Sequence, residues 1–188
     1  GESGGGGWRI DHFSLEVDEV MHTEGSGHWL IWGLTPGLRI HWKSNFKDFG
    51  AYAEHLGLAG YVEGGQGQLQ AQFYWPDVPW RNNIEALQGQ VELVLQQGRL
   101  QPIQSRSAKL LELLSLQSLS RIARLDFDIG SVLKEGFPFH LIEGALQFEH
   151  GWIQTQDYTV FSPIGSLFFE GQTHMLTHHI HAQAQVIP

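Results

Sequence analysis

The strongest constraint in this chain is an alternation of period two. In residues 67–75, GQLQAQFYW, Leu69, Ala71, Phe73 and Trp75 fall on one side, and Gln68, Gln70 and Gln72 on the other. Successive side chains of a strand point to opposite faces, so this run predicts a strand with one dry and one wet face. A helix would scatter the same residues around its circumference. The pattern returns in residues 89–95, where Val91, Leu93 and Leu95 share a face. It returns again with Leu146 and Phe148 in 144–149, and with Leu167 and Phe169 in 165–170. In residues 180–187, Ile180, Ala182, Ala184 and Val186 alternate with His181, Gln183 and Gln185.

Turn-forming residues punctuate these runs: Gly64-Gly65, Gln97-Gly98, His150-Gly151 and Ser162-Pro163-Ile164-Gly165. The tryptophan-rich segment 28–42 reads as two strands around Thr35-Pro36-Gly37. The short, regular spacing beyond residue 144 predicts an antiparallel meander, because parallel pairing needs long crossovers. Two segments carry helical spacing instead. Residues 47–56 place Phe49, Ala53 and Leu56 on one face, with Gly57 as a stop. Residues 107–123 place Leu110, Leu111, Leu113, Leu114, Leu116 and Leu119 on a wide apolar face, with Ser107 as N-cap. The expectation is a mainly β protein: a curved antiparallel meander sheet with an apolar concave face, plus two short helices packed on it. Residues 1–7 read as a Gly-rich linker and 8–188 as one domain, a fragment of something longer.

Composition narrows the function. The 188 residues carry 11 basic and 20 acidic side chains, a formal charge of −9. Nucleic-acid binding is disfavoured, since phosphate needs a basic face. There is no cysteine, which removes disulfides, thiolate chemistry and cysteine metal sites. Protonating all 11 histidines would carry the formal charge to +2, so surface charge is sensitive to mild acid. No run is long and apolar enough to span a membrane, and no signal peptide is read at the start.

Reactive constellations are weak. His174, His178, His179 and His181 form a patch without the carboxylate or cysteine partners of a recognised metal spacing. Asp126 and Asp128 share a strand face, but nothing beside them supplies a nucleophile or third ligand. They offer only slight grounds for a carbohydrate-active enzyme. Gly1-Glu2-Ser3-Gly4-Gly5 matches a nucleophile-elbow pattern without the strand that pattern requires. Trp29, Trp32, Trp42, Trp75 and Trp80 suit core and strand-end packing better than a sugar or membrane interface. No catalytic residue, metal or cofactor is expected.

A large sheet with one apolar face must cover it, close on itself or hold a ligand there. The residues alone leave these three open.

The order of motifs over roughly residues 27–188 resembles the C-terminal region of YhdP-type members of the AsmA-like family. The matching elements are the Leu-rich helix, Leu125-Asp126-Phe127, Gly136-Phe137-Pro138-Phe139, Ile142-Glu143-Gly144 and Gly151. Upstream, the Leu69–Trp75 strand with Pro76, then Trp80 and Leu87-Gln88-Gly89, fit as well. The resemblance implies a segment of a periplasmic bridge between the inner and outer membranes of a Gram-negative bacterium. Such a bridge shields phospholipid acyl chains in a hydrophobic groove, and its parent is anchored in the inner membrane by a segment absent here. The implied groove candidates are Leu69, Ala71, Phe73, Val91, Leu93, Leu95, Leu146, Phe148, Leu167 and Phe169. Leu110, Leu113, Leu114 and Leu116 would pack on the sheet or plug one groove end. Phospholipid is the implied ligand, with the outer membrane or an envelope protein as further partner. The alternative is a non-enzymatic structural module that docks such a partner.

Overall fold

The computed structural model describes residues 6–31, 33, 35–57, 59–76, 83–101, 136–163, 165–177 and 180–187. The predicted 107–123 helix, Asp126, Asp128, Trp32, Trp80, His178, His179 and the GESGG start lie outside the described residues.

Nine strands form one antiparallel sheet in strict chain order. They are β1 (Gly7–Val17), β2 (Met21–Leu30), β3 (Gly37–Phe46), β4 (Val62–Trp75), β5 (Gln88–Leu100), β6 (Phe137–Glu149), β7 (Trp152–Ser162), β8 (Gly165–His174) and β9 (Ile180–Ile187). The meander expected from residue 144 onward thus extends over the whole sheet. Among the described residues each strand pairs only with its sequence neighbours, which places β1 and β9 at the edges.

Two of the expected turns are not turns. Gly64-Gly65 lies inside β4 and Gln97-Gly98 inside β5, and Gly64 pairs directly with Gly98. Gly64 (φ 67°), Gly65 (φ 94°) and Gln97 (φ 55°) all take left-handed backbone. Turn-type residues facing each other across a ladder distort both strands without ending either. The His150-Gly151 turn is real, and Ser162 pairs with Gly165 across a tight connection.

The single described α-helix, α1 (Phe49–His55), sits in the β3–β4 connection. Asp48 caps it, its carboxylate accepting from the Ala51 N–H at 3.0 Å. Ala53 is buried as expected, but Leu56 falls past the helix end and is exposed. A Cβ on Gly50 would stand 2.7 Å from the Val62 carbonyl oxygen, so glycine lets the helix backbone seat directly on β4.

The helix covers only one end of the sheet. There Met21, Phe46, Leu95, Phe139, Ile142 and Val160 make a fully buried cluster, packed by Phe49 and Tyr52 from α1. Phe46 meets Phe49 edge-on at 5.1 Å. At the same end, His55 on the last turn of α1 bonds Asp18 of the β1–β2 turn at 2.9 Å.

Candidate functional site

The register collects the predicted apolar residues into rows running across the strands on one face. Ala71, Val91 and Leu146 are direct cross-strand neighbours, continuous with Trp42 on β3. One step along, Ile40 pairs with Phe73, which pairs with Gly89, which pairs with Phe148. The Phe73 and Phe148 rings meet edge-on at 5.1 Å across Gly89, and Trp42 lies 5.6 Å from Phe73. In the other direction, Leu69 pairs with Leu93, and Leu93 with Gly144. Phe169 reaches this row through Tyr158. Leu95 pairs with Ile142, Ile142 with Val160, and Val160 with Leu167. All ten candidates share this dry face.

They do not share one environment. Leu95 is 2% exposed and belongs to the core beneath α1, against which Leu69, Leu93, Leu167 and Phe169 also pack. Ala71 is buried as well. Phe73, Val91, Leu146 and Phe148, with Ile40 and Trp42, remain half-buried at the opposite end. An apolar wall therefore grades from closed core to partly open surface along the strands. The open end continues to Trp75, whose buried indole Nε1 has no hydrogen-bond partner among the described residues. An unpartnered buried donor costs free energy, so it stands out in a mostly apolar wall.

Sequence reasoning missed how glycine shapes this wall. Aromatic rings lie over cross-strand glycines: Phe13 over Gly25, Phe73 over Gly89, Phe139 over Gly98 and Tyr158 over Gly144. The signal was present as glycines inside otherwise alternating strands. Burial under this packing pushes the Tyr158 hydroxyl above its ordinary pKa.

The buried polar pair Thr23 and Ser44 was also missed. The two hydroxyls face each other across β2 and β3 at 2.6 Å. Thr23 also lies 2.7 Å from the Met21 sulfur. These two hydroxyls thus satisfy one another within the dry face.

No cluster of His, Asp and Glu able to hold a metal ion occurs among the described residues. His174 is committed to local structure. Its ring packs edge-on against Trp152, and its Nδ1 accepts from the Leu176 and Thr177 N–H groups. His181 is exposed on β9. No described helix is long and apolar enough to cross a membrane.

The family model described as YhdP protein matches residues 1–188. The chain belongs to the YhdP family. No curated protein and no solved structure matches it. The YhdP family is an envelope family linked to lipid transport, which gives the dry face of the sheet a context. The other face of this YhdP-family sheet is wet and carries troughs. One, about 1110 Å³, is lined by Arg9, Ser26, His28, Arg39, His41, Gln72, Tyr74, Gln90 and Gln147 among others.

Proposed function

We propose that this chain is a non-enzymatic segment of a periplasmic bridge, moving phospholipid between the inner and outer membranes of a Gram-negative bacterium. The observation that carries the reading is the half-buried apolar wall of Ile40, Trp42, Phe73, Val91, Leu146 and Phe148, within a chain of the YhdP family. Acyl chains need a continuous apolar surface and little else, at about 0.8 kcal/mol per buried methylene. The head group stays in water, and movement along the wall is passive. The groove candidates narrow on this reading to the open end, with Ala71 as the small floor residue between Trp42 and Val91. Leu69, Leu93, Leu95, Leu167 and Phe169 act mainly as the rigid base that holds the wall in register.

Native mass spectrometry of the gently purified protein, with lipid extraction beside it, tests the reading. Bound phospholipid that is lost on Phe73→Asp supports it. A protein that carries no lipid, and takes none from vesicles, overturns it. That outcome favours an interaction module, for which the edge strands β1 and β9 with exposed Leu15, Ile180 and Ile187 would be the docking edges.

A further inference from the structure

The wet face holds an ordered feature that lipid shielding does not use. Ser26 of β2 pairs with His41, His41 with Gln72, Gln72 with Gln90, and Gln90 with Gln147. The row continues from Gln147 to Gln154, from Gln154 to Gln172, and from Gln172 to His181 on β9. Seven inter-strand steps of about 4.8 Å make this row about 34 Å long. Every member is a hydroxyl, imidazole or carboxamide, and none is a carboxylate, ammonium or guanidinium.

The neighbouring rows differ. One step along the strands, Glu24, Lys43, Gln70 and Glu92 are cross-strand neighbours. On the other side stand Arg9, His28, Arg39 and Tyr74. A face that needed only solvation has no reason to keep charge out of one row and place it in the next. Troughs lie along this row. One of about 1110 Å³ includes Ser26, His41, Gln72, Gln90 and Gln147 beside charged Arg9, Asp11, Arg39 and Glu149, and one of about 410 Å³ includes Gln154, Gln172 and His181 beside Glu170. A trough of about 650 Å³ also takes in Glu24, Lys43 and Glu92 of the next row.

We propose that this row is a binding track for an extended, uncharged glycan bearing acetamido groups. A carboxamide offers both donors and acceptors, as hydroxyl and acetamido groups require. Gln72 and Gln172 have side-chain amides not engaged by any described residue, and the Gln154–Gln147 contact is long at 3.5 Å. The strand spacing is close to the length of one pyranose unit, so successive sugars meet successive strands. The chain is acidic overall and the row itself is neutral, which disfavours polyanions as ligands.

This inference concerns the face opposite the apolar wall and stands or falls separately from lipid carriage. The test titrates ¹⁵N-labelled protein with the N-acetylglucosamine hexamer, with a glucose hexamer as the probe lacking amides. Side-chain amide signals of Gln72, Gln90, Gln147, Gln154 and Gln172 are expected to shift together, and only with the acetamido probe. The combined Gln72→Ala and Gln90→Ala variant should bind at least tenfold more weakly at an unchanged urea midpoint. The proposal is overturned if millimolar hexamer moves none of these signals, if both probes bind alike, or if the glutamine variant binds as well as the parent. Should that variant misfold, the shift map on the parent protein decides.

Discussion

Individual residues do their work here mostly by being small or by being committed. Gly144 lies beneath Tyr158, where a Cβ would stand 2.5 Å from the ring and 2.7 Å from the Tyr158 Cα. The nearer atom can rotate aside; the backbone atom cannot. Gly144→Ala should therefore destabilise the fold by about 1–3 kcal/mol, the usual cost of overpacking, read as a lower urea midpoint. His55 is committed electrostatically. Its Nδ1 bonds the Ala51 carbonyl and its Nε2 bonds Asp18. Those two acceptors, the Ala51 carbonyl first, raise its pKa above the ordinary histidine value. A raised folded pKa adds stability that is complete below the unfolded value near 6.5 and fades as pH rises through the folded one. The group is solvent-exposed, so the readout is the His55 ring resonance rather than global stability. Asp18→Asn should lower its midpoint, and Asn keeps the left-handed backbone (φ 40°) that Asp18 adopts. An unchanged midpoint would show that the Asp18 contact does not persist in solution.

At the level of elements, α1 decides where the dry face is closed. Removing its cap by Asp48→Ala should cost about 1 kcal/mol in chemical denaturation. The loss should be felt by Phe46 and Phe49 rather than by Trp42 and Phe73, because the latter pair lies outside the helix-covered cluster. Tryptophan fluorescence of Trp42 should accordingly change less than the denaturation midpoint does. The strands were readable from the chain because their alternation of apolar residues and glutamine records two opposite environments. Strand β1 was less readable, since it is an edge strand with exposed Trp8, Ile10 and Leu15 on its dry side and a register shift between Ile10 and Phe13. Alternation weakens where neither side is fully dry. The Gly64-Gly65 and Gln97-Gly98 pairs misled for a related reason. Local turn chemistry states only that the backbone bends; whether the chain then reverses depends on partners supplied by distant strands.

Across the whole molecule, the apolar residues identified from periodicity do occupy one face, since strand alternation and a strictly sequential sheet leave no other place for them. Their division into closed core and half-open wall was not readable. It depends on where a seven-residue helix lands, which is a tertiary fact. The wet-face row was equally hidden, because its members come from eight strands and become neighbours only through register. The central claim is that acyl chains lie against the open end of the dry face. Photocrosslinking from single sites tests it directly, with benzoyl-phenylalanine placed at Phe73 or Phe148 on the dry face and at Gln72 on the wet face. Phospholipid adducts from the first two positions and not from Gln72 are the predicted result. Adducts from Gln72 in equal yield, or none from Phe73 and Phe148 in a protein carrying lipid, would contradict it.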